Sequence, residues 1–293
     1  MMFMLFIASD GGSMHTAANF NARQDASMPD SIPTNHAPLA LEWSSEKLLR
    51  IDEVEFYLTV DLDDLHAHES RTNHFLLGKT RPMVDAVLAL RDTESIGRIL
   101  DVGIFKGGSA ALYMKVFAPE KLVAVEYMPQ PVEALARFIA DNDLASRLIP
   151  YYRTDQSDAQ AMGRILATEF PDRNVDLIVD DASHFYLESR ATVNLTLPYL
   201  RPRGLYILED WGWAHWPGET WQKSRAIPAS KPALSNLVFE LCMLCASRPD
   251  IVSDIALTRN TVVLRRGDAA LTPGTFDIGQ HYLCRDRWFK PIM

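Results

Sequence analysis

Ile99–Ala110, ILDVGIFKGGSA, constrains the fold more than any other stretch of the chain. Apolar residues run into an acid, then into a loop with three glycines, then into a helix-forming run. That order predicts a buried strand, a tight turn and a helix start. In open α/β sheets, ligands bind at such turns, beyond the carboxyl ends of the strands. Gly103, Gly107 and Gly108 let a backbone approach closely because no Cβ intervenes. The spacing Asp-x-Gly-x-x-x-Gly-Gly-Ser lacks the Gly-x-Gly-x-x-Gly of a pyrophosphate-binding turn. Taken alone, the loop fits an ordinary strand-to-helix turn as well as a ligand cradle.

From Arg98 onward, strand and helix patterns alternate. IGRILDVG, KLVAVEYM, RLIPYY, NVDLIVDD and GLYILEDW read as strands, separated by helices with apolar residues at helical spacing. Five β/α units predict a parallel, doubly wound sheet with right-handed crossovers. The two apolar runs around Thr258-Arg259-Asn260 predict an antiparallel C-terminal hairpin. The fold class expected is α/β, Rossmann-like, mostly parallel with that antiparallel addition. Residues 98–293 would form this domain. Residues 1–38 read as a flexible tail, and 39–97 as a helical cap segment in which Trp43, Leu48 and Leu49 suggest a short helix. DLDDLHAHE, at 61–69, reads as a solvated loop. The GKT at 78–80 is no P-loop, since Asn73 stands where its first glycine belongs. Lys79 and Arg81 read as surface residues.

A formal net charge of −9 argues against nucleic acid and anionic membranes as partners. Three cysteines make no disulfide framework. Cys242 and Cys245 fall on one helix face without a second Cys/His pair, which predicts packing in a reduced, cytoplasmic protein. The opening MMFMLFIASDGG is a weak match to a signal sequence, with no basic residue before its apolar run. A small-molecule substrate is the expected partner, and a homo-oligomer is compatible.

The strand ends carry the candidate chemistry. Asp101 would repel phosphate and suit a ligand bearing a cation. S-adenosylmethionine (SAM) is such a ligand, and the loop residues Gly103, Gly107 and Ser109 would cradle it. Glu126, 25 residues past Asp101, stands where nucleoside-binding sheets place a ribose-binding acid. Asp155 and Gln156 are placed to read an adenine edge, and Asp180 joins the cofactor side. Asp181, Glu209 and Asp210 end neighbouring strands. Such carboxylates repel one another unless a cation sits between them. An all-oxygen set favours Mg²⁺ or Ca²⁺. His184 is the candidate general base, with His215 a less favoured second. The tryptophans at 211, 213, 216 and 221 read as a substrate wall or as core.

DVGIFKGGS, VAVEYM, VDDASH and GLYILEDWGWAHWPG together resemble the class I SAM-dependent methyltransferases. Within them, the likeness is to the metal-dependent sugar O-methyltransferases of macrolide biosynthesis (the mycinamicin type) and to the cephalosporin-hydroxylase-like proteins. It covers roughly Arg98 to Trp221. The resemblance implies a SAM- and Mg²⁺-dependent O-methyltransferase acting on a sugar or hydroxylated natural product. Asp181, Glu209 and Asp210 match the metal ligands, His184 the base, and Asp101, Gly103 and Glu126 SAM contacts. Ala182 replaces an expected glycine, and the segment after EDW is unusually rich in Trp. The 97 residues before Arg98 leave no room for a large auxiliary domain, so a macrolide substrate is not implied. The rival readings are a cephalosporin-hydroxylase-like protein of other activity, an NAD-type oxidoreductase and a non-catalytic protein of the same fold.

Overall fold

A computed structural model describes residues 39–223 and 230–285. The expected tail at 1–38 lies outside the described residues. The chain begins with β1 (Leu41–Ser45), β2 (Leu48–Ile51) and β3 (Val54–Leu58), followed by α1 (Leu62–Ala67) and β4 (His74–Leu77). These four strands form a sheet in order β1-β2-β3-β4, antiparallel except for the parallel β3/β4 pair. The helix expected around Trp43, Leu48 and Leu49 is therefore two strands. Adjacent leucines look helical, but burial alternates: Leu49 and Ile51 are buried, then Val54, Phe56 and Leu58. That period of two belongs to a sheet with one face on the core. DLDDLHAHE holds α1, capped by the Asp61 carboxylate accepting from the Asp64 amide.

The main sheet follows in β/α units: α2 (Arg81–Thr93), β5 (Arg98–Val102), α3 (Gly108–Phe117), β6 (Lys121–Val125), α4 (Glu133–Asp141), β7 (Leu148–Tyr151), α5 (Ala159–Glu169), β8 (Val175–Asp180), α6 (Tyr186–Thr196) and β9 (Leu200–Glu209). After the short α7 (Glu219–Gln222) come α8 (Ser235–Ser247) and the hairpin β10 (Val252–Leu257)/β11 (Thr261–Arg266). The order is β10-β11-β9-β8-β5-β6-β7. β5 pairs in parallel with both β6 and β8, so the winding reverses at its carboxyl end. β11 runs antiparallel to β9.

The sheet has a core on each face. Ile99, Leu122, Leu177 and Ile207 pack with α2, α3, α4 and the small sheet's Phe56 and Phe75. Leu100, Val123, Ile178 and Leu208 pack with α5, α6 and α8. Helix α3 is buried at every position but Lys115. A helix that is apolar all round needs cover on all sides, and the small sheet supplies it. Gly108 is the contact: a Cβ there would lie 2.1 Å from the Leu76 carbonyl oxygen. The small sheet is thus pressed onto the start of the helix that follows the glycine loop.

Candidate functional site

The glycine loop passes across the end of β8. Gly103 has φ +91°, and a Cβ on it would lie 2.4 Å from the Asp181 carbonyl oxygen. The approach is fixed from both sides: the Gly103 amide donates to the Val125 carbonyl (2.8 Å) and the Asp181 amide to the Val102 carbonyl (2.9 Å). Gly107, at φ +81°, caps α3. Beyond the loop opens a cleft of about 440 Å³, whose lining includes Gly103, Glu126, Asp155, Asp181, Phe185 and Lys231.

The acids around this cleft divide by environment. Asp101 is fully buried beneath the loop. Its Oδ2 accepts from the Ser109 hydroxyl at 2.8 Å, and its Oδ1 has no hydrogen-bond partner among the described residues. Burial pushes its pKa up to about 8, against the opposing pull of Ser109 and Lys79. Burial thus favours the protonated form of the acid that the sequence places under the loop. Glu126 braces the loop, its Oε2 accepting from the amides of Ile104 (3.1 Å) and Phe105 (2.7 Å) and its Oε1 from Met128 (2.9 Å). Gln156 is also committed inside the protein. Its amide nitrogen donates to Asp180 Oδ1 (3.2 Å) and to the Thr192 hydroxyl (2.7 Å), and its oxygen accepts from the Ser183 amide (2.8 Å). Asp180 also accepts from the buried Tyr206 hydroxyl at 3.0 Å, and burial raises its pKa to about 7. Gln156 and Asp180 therefore cross-link β8, β9 and α6 rather than present free polar edges. Asp155 stands exposed at the cleft rim.

Asp181, His184 and Asp210 each place a ligand atom within 4.8 Å of the others. His184 Nε2 lies 4.0 Å from Asp181 Oδ1. Two of the three are held in left-handed backbone, His184 at φ 55° and Asp210 at φ 51°. Non-glycine residues persist there only when their surroundings impose it. Here Trp213 Nε1 donates to the His184 carbonyl at 2.7 Å, and the Trp213 ring meets Phe185 edge-on. The third acid, Glu209, is 3% exposed and turned to Lys79, whose Nζ lies 2.5 Å from Glu209 Oε2 and 3.1 Å from Asp181 Oδ2. Burial and the charge of Asp181 raise Glu209 to about 7, although Lys79 opposes them. Burial also lifts Asp181 and Asp210. Burial works against the Lys79 charge, but Asp181 and Glu209 outweigh it and hold its pKa well above normal.

Lys79 is the residue that the sequence reading misplaced on the surface; its side chain is 2% exposed. Arg81 is at the surface, stacked on Trp43 and paired with Glu46. Among the tryptophans, Trp213 is buried, Trp211 donates to the Thr258 carbonyl, and Trp216 packs edge-on against Trp221. His215 pairs with the Ser235 hydroxyl instead of joining the acids. Cys242 and Cys245 are unpaired on α8.

Counted from β5, the strands lie in the order 3-2-1-4-5-7-6, with the seventh antiparallel to the fifth. This is a Rossmann-like α/β fold, mostly parallel with an antiparallel seventh strand. No protein-family model matches the chain. It is 28% identical over 128 residues to mycinamicin VI 2''-O-methyltransferase of Micromonospora griseorubida, covering 41% of this chain and 29% of that protein. Over 64 residues it is 36% identical to demethylmacrocin O-methyltransferase of Streptomyces fradiae, covering 22% of this chain and 15% of that protein. The chain thus matches less than a third of the length of these curated relatives. Among solved structures, the MycE methyltransferase of the mycinamycin pathway, in complex with Mg and SAH, aligns with a TM-score of 0.47 and 22% identity. That alignment covers 68% of this chain and 53% of that one. The chain resembles the macrolide sugar O-methyltransferases.

Proposed function

We propose that the protein is a SAM-dependent, Mg²⁺-assisted O-methyltransferase acting on a hydroxyl of a sugar or of a hydroxylated natural product. The observation that carries this reading is the convergence within 4.8 Å of His184 and Asp210 with Asp181, which lines the glycine-loop cleft. The curated relatives are named as O-methyltransferases of mycinamicin VI, demethylmacrocin and L-olivosyl-oleandolide. The donor set suits a hard divalent cation. Asp181 and Asp210 would hold it, and Glu209 belongs to the same acid cluster. Three carboxylates with one buried ammonium leave two negative charges, the complement of a divalent ion. Bound there, Mg²⁺ would acidify a coordinated hydroxyl.

The chain's own residues would do the rest. Gly103 opens the backbone toward the methionyl end of SAM, and Glu126 and Asp155 line the nucleoside side of the cleft. His184 is the base that accepts the hydroxyl proton at Nε2, leaving the oxygen free to attack the sulfonium methyl in line. Trp213 fixes the backbone that aims it. Positioning of this kind supplies most of the rate in a direct transfer. We place the protein inside the cell, where SAM is made, in keeping with its unpaired cysteines.

Titration calorimetry with SAM, with and without Mg²⁺, tests the cofactor assignments. A methyl-transfer screen over glycosides tests the reaction. His184→Ala is expected to keep SAM affinity and lose at least about a hundredfold in kcat. Failure to bind SAM overturns the reading, and undiminished turnover in His184→Ala overturns the base.

A further inference from the structure

We propose that Glu188 and Lys231 form a paired acceptor and donor in the wall of the cleft, and that the pair reads the edge of adenine. Glu188 Oε2 accepts from the exocyclic N6 amine, and the Lys231 ammonium donates to ring nitrogen N1. This rests on the SAM reading given above and deepens it by naming the side chains that tell adenine from another purine.

Glu188 stands in the first turn of α6, and Lys231 lies shortly before α8. Both line the cleft, as do Glu126 and Asp155, assigned above to the nucleoside side. Lys231 Nζ bonds to Glu188 Oε1 at 2.5 Å and stands 4.5 Å from the Phe185 ring centroid. The ring quadrupole attracts a cation over its face, so the ammonium is held from two sides. Glu188 is fixed as well. Its carbonyl accepts from the Thr192 hydroxyl at 3.1 Å, and that hydroxyl takes the Gln156 amide at 2.7 Å. Phe185 in turn meets Trp213 edge-on, with 6.3 Å between centroids.

The second oxygen of Glu188 decides the assignment. Oε2 is buried and has no hydrogen-bond partner among the described residues, and no other side chain described in the cleft lining holds such an oxygen. Glu126 spends both oxygens on backbone amides, and Gln156 is satisfied at both ends inside the protein. Asp155 Oδ1 takes the Ser157 amide at 2.8 Å and the Ser157 hydroxyl at 2.7 Å. A buried acceptor left without a partner calls for a donor from outside the chain. Adenine offers one. Its edge carries an N–H donor at N6 beside a lone pair at N1, and a carboxylate oxygen beside an ammonium presents the opposite order. Hypoxanthine inverts both positions: its 6-oxygen meets the carboxylate, and its N1–H meets the ammonium. A site built to hydrogen-bond one ligand rejects an analogue that leaves its polar groups unpaired.

The test measures binding of S-adenosylhomocysteine and of S-inosylhomocysteine, its 6-oxo analogue, to the full chain by titration calorimetry, together with melting temperatures. The wild type is expected to prefer the adenosyl compound by about a hundredfold or more. Glu188→Gln, whose amide can donate to the 6-oxygen, should narrow that ratio about tenfold. Lys231→Met should weaken the adenosyl compound about tenfold and the analogue far less, because the analogue turns an N–H toward the ammonium. A pair that merely braces α6 would lower both melting temperatures and leave the ratio at its wild-type value. An unchanged ratio in both variants, or a wild type that binds the two compounds equally, overturns the role of the pair while leaving the SAM reading intact. A wild type that binds neither compound overturns the SAM reading and this assignment together.

Discussion

Replacing Asp101 with Asn separates a charged cofactor contact from a neutral brace beneath the glycine loop. Burial raises the Asp101 carboxyl from its ordinary 3.8 to about 8. A carboxyl raised on folding contributes stability that is full below its unfolded pKa and is lost as the pH climbs through the folded one. The window here runs from about pH 4 to about pH 8. Within it the unfolded chain is ionised at this position and the folded chain is not, so each pH unit costs the wild type about 1.4 kcal/mol. Between pH 5 and pH 7 the wild type should lose roughly 2–3 kcal/mol that Asp101→Asn does not lose. The asparagine carries its own penalty, since its NH₂ group takes the place of an oxygen without a partner. That penalty, about 1–3 kcal/mol, does not vary with pH. Other raised acids, such as Asp180 and Glu209, remain in both proteins and largely cancel in the difference. Urea denaturation of both proteins at pH 5, 6 and 7, with stability differences plotted against pH, gives the answer. The two curves should converge or cross as the pH rises, and SAM affinity of Asp101→Asn at pH 7 should stay within a few-fold of the wild type. Parallel curves would falsify the neutral carboxyl. A loss of SAM affinity as large as a missing charge demands would restore Asp101 as a contact of the sulfonium.

Gly108→Ala puts a methyl 2.1 Å from the Leu76 carbonyl oxygen, so it should cost about 2–4 kcal/mol and loosen the small sheet; urea unfolding and proteolysis within 39–80 report it, and a neutral substitution refutes the packing. Divalent cation affinity should rise with pH, because burial raises Asp181 and Asp210 and both must lose their protons before they can hold the ion. Mn²⁺ titrations at several pH values check this, and a flat profile refutes it. Trp213→Phe removes the 2.7 Å bond to the His184 carbonyl and should lower kcat severalfold with SAM affinity unchanged; equal loss of SAM affinity would assign Trp213 to the cofactor side instead.

The parts of the site that are legible in sequence are those written next to their own strand. A β/α alternation puts the residue after each strand on one edge of the sheet, so Gly103, Glu126, Asp181 and Asp210 could be located from local pattern alone. The cap segment was misread because Leu48 and Leu49 sit side by side, whereas the period of two shows only when Leu49, Ile51, Val54 and Phe56 are taken together. Lys79 had no local signature at all. Its partners lie more than a hundred residues away, and Gly-Lys-Thr before a helix looks like a surface turn. One signal did exist: three acids at adjoining strand ends require positive charge, and a lysine two residues after the apolar run Phe75–Leu77 is held close to the core by that run.

What local pattern cannot supply is the charge that a located side chain carries. Asp101 and Asp181 end neighbouring strands and look alike in sequence. Yet burial favours the protonated form of Asp101, which meets a serine hydroxyl, while Asp181, also raised by burial, meets Lys79 on one oxygen and faces His184 with the other. Burial raises both and Lys79 opposes it at both; the direct ion pair is made by Asp181, a property of packing. The small sheet therefore does more than cover α3. It brings Lys79 into direct contact with Asp181 and Glu209, while Asp101 bonds to Ser109 beneath the glycine loop.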